Sequence, residues 1–390
     1  MQSLISGMTH NGEMVDPKIV DEILSKELLQ LSLKERTIRQ EEIHGVTNAA
    51  QEETPEFVAS CLHRLHVELE NVVPDGEKQA YLRARSFPHS YVNTDSFRMR
   101  FLRSRYFDVP HTARCIVTFL GLTLELFGEK ALQRPVRMTD FSNDELRALK
   151  LGRFQFLPFG DRVGRRILGI FPDETWESIP VKTKAKISLY TSWTAGDDIE
   201  TQKKGLVLII WFSEGAKLSK APANINDRAL HTCRVSAMHL CTPDTPFFRF
   251  RRAIVTMRVG HIARRGLRVH LGSHVEINYK LQSYGIPIDQ IPISITGKIK
   301  KQYMLQWVRV RCIIEQSLHD LPPMNGNVLP NHYSSNGLHN GLYDHCNVNV
   351  NVNVNCHSHS HSHNPNYNPN YNPNYNPNYN HHHHHHHQSR

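Results

Sequence analysis

The longest uninterrupted apolar run in this chain, Leu206 to Phe212, has the length of a β-strand and falls far short of a membrane span. A strand without polar side chains has no wet face, so it is predicted to be covered on both sides, as the strands of parallel sheets are. Its neighbours along the chain agree. Phe154 to Leu157 and Arg166 to Phe171 flank a turn containing Gly160, Asp161 and Gly164, the pattern of a hairpin. Further strands are predicted at Val235 to Thr242 and Leu267 to Leu271. Helical patterns surround these strands: Val181 to Ala195, a connection broken by Pro222, Phe247 to about Ile262, and Ser273 to Tyr284. A hairpin followed by strands alternating with helices specifies an α/β fold with a mixed sheet flanked by helices.

The first 150 residues are helical instead. Asp16-Pro17 opens a helix with Ile19, Val20, Ile23, Leu24 and Leu28 on one stripe, and proline suits a first helical position. Ser32 and Glu35 form a capping box for a short helix that Gly45 ends. Thr54-Pro55 opens another, with Val58, Cys61, Leu62 and Leu65 inward. The run Phe97 to Val109 is a short helix with a basic face, stopped by Phe107, with Asp108 placed to cap the next helix. That helix runs from about Val109 to Phe127, closed by Gly128, with Ile116, Val117, Phe119, Leu120, Leu124 and Phe127 at helical spacing. A second capping box, Ser142 with Glu145, precedes a helix ended by Gly152. Near the end of the foldable region, Lys301 to Leu318 repeats Tyr303, Met304, Trp307, Val310, Ile314 and Leu318, an amphipathic helix.

From about Leu321 the composition changes to Asn-Val repeats, His-Ser repeats, Asn-Pro-Asn-Tyr repeats and the block His381 to His387. Too few large apolar side chains remain there to offset the entropy of ordering, so the tail is predicted to be disordered. The net charge of +9 lies on the rest of the chain, since the tail holds only Asp344 and Arg390. A basic body meets nucleic acid, anionic membranes or acidic partners. The seven cysteines form no CxxC and no disulfide framework, and no signal peptide is evident. A reduced cytoplasmic setting is therefore expected. Gln2 and the C-terminus match no lipidation signal, so any membrane contact is expected to be peripheral.

Several segments share one order. Phe97 to Val109 is similar to an "RFLRARKFDV" run. Asp161-Arg162-Val163-Gly164-Arg165 resembles a "D-x-x-G-R" hairpin turn. Ser213-Glu214-Gly215 follows the apolar strand, with Phe212 where an aspartate is usual. Met238 to Pro243 resembles a strand ending in "N-x-P" before a mobile helix, and Arg268 to Ser273 with Tyr284 to Pro287 and Ile291-Pro292 a closing strand, helix and loop. From Tyr91 to Gly297 this order resembles the CRAL-TRIO lipid-binding family, relatives of the yeast phosphatidylinositol-transfer protein and of tocopherol and retinal carriers. The resemblance divides the chain into an N-terminal helical arm (1–90), a helical CRAL-TRIO N-terminal part (91–152), a CRAL-TRIO-like lipid-binding α/β domain (153–300), a C-terminal amphipathic helix (301–320) and the Asn/His-rich tail (321–390).

In that family the sheet and a gate helix enclose an apolar cavity for one lipid. Removing a chain of about 16 methylenes from water is worth roughly 13 kcal/mol at about 0.8 kcal/mol each. The resemblance implies a cavity lined by Val207, Ile209 and Trp211, with walls from Phe247, Phe248, Ile254 and Met257 on the gate-like helix. The bland alternative is that these residues are ordinary core. Departures from the family weigh against phosphoinositide: Tyr106 stands where a lysine holds the inositol phosphate, Cys233 where a glutamate stands beside Arg234, and Val207 and Ile209 where hydroxyl side chains contact phosphocholine. The gate-like region is rich in arginine: Arg249, Arg251, Arg252, Arg258, Arg264, Arg265 and Arg268. Each such charge near an anionic leaflet adds about 1 kcal/mol. The first six are the candidate membrane contacts.

His231 with Cys233 and His239 with Cys241 are spaced for one strand face, but close ligand spacing is absent and no metal or other cofactor is expected. The tail histidines chelate metals in vitro through density alone. No nucleophile, zincin, P-loop or dinucleotide motif occurs, so no enzyme is expected. Asp197, Asp198 and Glu200 fit a helix start. The expectation is binding, and intermembrane transfer, of one hydrophobic lipid under a mobile basic lid. The alternatives are a protein-interaction scaffold with a filled cavity and a nucleic-acid binder using Phe247, Phe248 and Phe250 among arginines, the latter ranked lower for want of a known module.

Overall fold

The structure, a computed structural model, describes residues 17–48, 50–213, 232–258, 265–294 and 296–320. The Asn/His-rich tail, the Pro222 connection and the last residues of the basic helix toward Ile262 lie outside them. The described residues fall within one unit, Met1–Gly337.

The arm holds two helices, α1 (Pro17–Leu29) and α2 (Leu33–Ile43). The Ser32 capping box closes as expected, with the Ser32 amide donating to Glu35 at 2.8 Å and the Glu35 amide to the Ser32 hydroxyl at 3.3 Å. Helix α3 (Pro55–Val67), capped by Thr54, runs on into a π-turn at Glu68–Val72. A short helix α4 (Gln79–Ser86) follows. Helices α5 (Asp95–Ser104) and α6 (Val109–Phe127) meet at an abrupt joint. Tyr106 and Phe107 both take left-handed backbone, φ 52° and 61°, a conformation that costs bulky residues on the order of 1–3 kcal/mol each. The Phe107 ring offsets part of that by packing 4.9 Å from Phe57, and Asp108 caps α6 by accepting from the His111 amide at 3.0 Å. Helices α7 (Lys130–Gln133) and α8 (Asn143–Lys150) complete a helical block.

Five strands follow, β1 (Phe154–Phe156), β2 (Arg166–Ile170), β3 (Leu206–Trp211), β4 (Val235–Thr242) and β5 (Leu267–Leu271), in the spatial order β1-β2-β3-β4-β5. Only β1 and β2 are antiparallel; Ile167 pairs with Val207, Val207 with Ala237 and Met238 with Leu267 in parallel register. The helices α9 (Glu174–Glu177), α10 (Val181–Ala195) and α11 (Ile199–Lys204) link β2 to β3. Helix α12 (Pro246–Arg258) links β4 to β5; α13 (His274–Ser283) and α14 (Gln302–Asp320) end the body. This is the mixed α/β arrangement expected from the sequence, a five-stranded sheet flanked by helices.

The D-x-x-G-R turn is held by its own charges. Asp161 accepts from the Arg165 amide and side chain at 2.8 Å each, and Gly164 supplies the left-handed residue, φ 77°. Gly205, φ 78°, sits where an added Cβ would lie 2.2 Å from the Ser236 hydroxyl, so β3 can start against β4 only with glycine there.

The helical block has its own core, in which Leu65, Leu69 and Tyr81 join Phe97, Phe101, Phe119, Tyr190 and Trp193. Helix α14 docks onto the body. Glu315 accepts from the Tyr190 hydroxyl at 2.6 Å and the Met138 amide at 2.7 Å, and Trp307 packs 5.5 Å from Phe156. Asp197 bridges Arg100 (3.0 Å) and Arg311 (2.5 Å), so one acid of the Asp197-Asp198-Glu200 group is a clamp and Asp198 is the cap of α11.

Candidate functional site

The sheet parts the residues grouped from the sequence. Val207, Ile209 and Trp211 do share a face, as strand alternation requires. That face is closed by Ile43 of α2, Leu157, Phe171, Ile277 and Leu281 of α13, and Ile286. Helix α12 lies on the other face, where Phe248 packs with Leu168, Leu206, Leu208, Phe212, Met238, Leu240 and Leu267. A cavity with Val207, Ile209 and Trp211 on one side and the α12 side chains on the other is therefore corrected: an α12-covered site would have Leu206, Leu208, Met238 and Leu240 as its floor. The error has a physical origin. Both faces of β3 are apolar, so alternation groups residues correctly but does not say which group meets which helix.

Within α12, Phe248 is 2% exposed and Phe247 is 46% exposed, which removes Phe247 from the interior wall. Ile254, Met257 and Arg258 lie on α12 with side chains outside the described set, and Arg264 lies outside the described residues. The arginines divide too. Arg249 is exposed and clasps Asp244 through two contacts of 2.6 and 3.1 Å, which holds the Asp244 carboxyl below its ordinary pKa. Arg252 and Arg265 are half-buried. Arg251 is 3% exposed, its guanidinium 4.0 Å from the centre of the Phe212 ring and 6.0 Å from that of Phe248. Arg251 as a membrane contact is thus corrected: stacking on two rings draws it into the interface.

The basic run on α5 is likewise not a solvated face. Arg100 lies 3.7 Å over the Trp193 ring, and Arg103 makes a two-armed pair with Glu53 at 2.8 Å per arm. Near the Tyr106 and Arg234 positions, the chain supplies its own anion. Glu42 of α2, fully buried, accepts from Arg234 at 2.6 Å and from Arg39 at 2.5 Å. Arg234 also donates to Tyr106, Asn48 and the carbonyls of Lys203 and Lys204, and its ring contact with Tyr106 spans 5.0 Å. The remaining space between Arg103, Tyr106, Lys203 and Arg234 is about 10 Å³, room for one water. Neighbouring Cys233 is pushed up to about 11 by burial and points its thiol at the Thr201 carbonyl.

Sequence reasoning missed a polar cluster on the opposite face. His239 of β4 and His270 of β5 are hydrogen-bonded at 2.9 Å and stack, with Tyr284 edge-on to both and His44 stacked on Tyr284 at 4.4 Å. Burial, then Lys280 and Arg268, lowers His270 to about 4, and burial with His270 lowers His239 well below its ordinary value. The signal in the sequence was histidine at alternate positions of two adjacent strands. Among the described residues no group of three or more His, Cys, Asp and Glu is arranged to hold a metal, and His231 lies outside them. Among the described residues, no helix is long and apolar enough to cross a membrane.

No protein-family model matches the chain, and neither does any curated protein. Among solved structures the chain is similar to a crystal structure of Sfh5, at 9% identity and a TM-score of 0.41, with 69% of this chain and 100% of that chain covered.

Proposed function

We propose that this chain binds one hydrophobic lipid between α12 and the Leu206–Leu208 face of the sheet, and exchanges it with an anionic membrane surface when α12 moves. No chemical step is assigned to it, and its setting is the cytoplasmic side of a membrane. The observation that carries this reading is the seat of α12. It lies across an apolar sheet face, yet among its described residues Arg251 and Thr256 are buried as fully as Phe248 is. A helix held partly by polar side chains gains less from burial than one with a continuous apolar stripe, so less work opens it. The motif order from Phe97 to Pro292 supports the same reading. Of the candidate membrane arginines, Arg249 is exposed and Arg252 and Arg265 are half-buried, so these are the described ones that reach the surface. The spent Arg234 site argues for a ligand without a phosphoinositide head.

A filled interior is the second reading, favoured by the near-complete burial of Leu208 (1%) and Leu240 (0%). Mass spectrometry of organic extracts of the purified, tail-deleted protein separates the two. About one lipid per chain supports carriage. Extracts that stay empty from several expression hosts, with no lipid taken up from vesicles, leave a scaffold. Flotation with anionic liposomes in competition with RNA addresses the nucleic-acid alternative, in which RNA binds tightly and liposomes do not.

A further inference from the structure

Leu29 and Leu33 are 65% and 78% exposed, at the turn where α1 gives way to α2. A single exposed leucine needs no explanation, but these two are displayed by a turn built to hold them. The Arg36 side chain reaches back across it and donates to the Leu31 carbonyl at 2.8 Å and the Leu29 carbonyl at 3.1 Å. The Ser32 capping box ties the start of α2, and the Gln30 and Leu31 amides donate to the Lys26 and Leu28 carbonyls. In water these groups bond to solvent almost as well, so internal partners add little. At the boundary of a bilayer solvent is scarce, and an unpaired backbone group is costly. The turn therefore offers aliphatic side chains on a backbone whose hydrogen bonds are already made.

Its surroundings are basic. Lys26 and Lys34 are exposed on the two helices beside it. The Glu35 carboxyl is held below its ordinary pKa, first by the Ser32 hydroxyl and amide and then by Arg265, which brings a third cation within electrostatic reach. Four residues of chain span at most about 14 Å, so both leucines fall on one patch. We infer that this turn inserts into an anionic bilayer surface, with Leu29 and Leu33 entering the acyl boundary and Lys26, Lys34 and Arg265 meeting the headgroups. The occupant is a membrane because the feature is small. A stable protein interface takes about 800 Å² from each partner, whereas two leucines among cations suit a leaflet. This rests on the proposed exchange with an anionic membrane and locates the contact. Since α1 packs along α12, the element that inserts is held against the element that opens.

The test is flotation of the full-length chain with phosphatidylcholine vesicles, with and without phosphatidylserine. Leu29→Ser with Leu33→Ser removes the two leucines. Val275→Ser with Tyr279→Ser removes two side chains of similar exposure, 58% and 69%, on α13. Both pairs alter surface side chains only, and thermal melts equal to the parent's confirm the fold. The parent is expected to prefer the serine-containing vesicles. The leucine variant should bind them about tenfold or more weakly, the worth of two aliphatic side chains leaving water, and the α13 variant as the parent does. In Leu33→Trp, brominated lipid should quench fluorescence beyond its effect on the parent. Parent-like binding by the leucine variant, an equal loss in the α13 variant, no added quenching, or no preference for the serine lipid each overturns the insertion site. The carrier reading, judged by lipid in organic extracts, then still stands. A parent that floats with neither vesicle overturns the insertion site and the membrane exchange together; self-association lost in the leucine variant would then make a second copy the occupant.

Discussion

Replacing Glu42 with glutamine leaves the Arg234 guanidinium buried without its counter-charge. Breaking a buried pair from one side costs about 3–5 kcal/mol, so urea unfolding of E42Q should show a midpoint far below the parent with an unchanged slope. A loss under about 1 kcal/mol would mean that Arg234 is balanced by the two backbone carbonyls alone. His239 and His270 give the opposite kind of residue effect, one of pH. Each is held neutral in the folded chain, so between pH 6.5 and about 4 the unfolded chain binds more protons than the folded one. Stability is therefore full above pH 6.5 and falls as pH drops through that window, by on the order of 3 kcal/mol for His270. Melting temperature followed from pH 7 to 4 checks this. In His270→Gln the slope over that interval should shrink, and an unchanged slope would place the titration elsewhere.

At the scale of elements, local signals read well. Ser32, Thr54, Asp108, Ser142 and Asp198 cap the helices that their sequences announce, because a cap is settled by contacts within four residues. The short α4 escaped reading. It lacks a side-chain cap and shows only Ala80, Tyr81 and Ala84 as an inward face. The histidine cluster and the division of the candidate site between two sheet faces also escaped, since both depend on which helix covers which face of an all-apolar strand. Phe248 is the element-scale anchor: F248A should cost about 3–5 kcal/mol if its site stays packed. Hydrogen exchange should then speed up in α12 well before it does in β4. Equal acceleration in both would show α12 and the sheet opening together, which a mobile lid does not do.

Across the whole molecule, the arm joins parts that are far apart in sequence. Helix α1 packs along α12 and its Leu24 reaches the α12 side of the sheet, while Glu42, Gln40 and the Glu42 carbonyl hold Arg234, Arg268 and Arg165. Deleting residues 1–50 should therefore loosen α12 as well as lower stability. Proteolysis inside α12 of the truncated chain, at protease levels that spare the parent, is the expected outcome; resistance equal to the parent would show that the arm is ornamental to that helix. The same span has a consequence for synthesis. Glu42 leaves the ribosome 192 residues before Arg234, a wait of roughly 10 to 40 s at ordinary elongation rates of about 5–20 residues per second. Throughout that interval Glu42 lacks Arg234 and the nascent arm is at most partly docked, so its apolar stripe is open to chaperones, and a translational pause before Arg234 would lengthen the exposure.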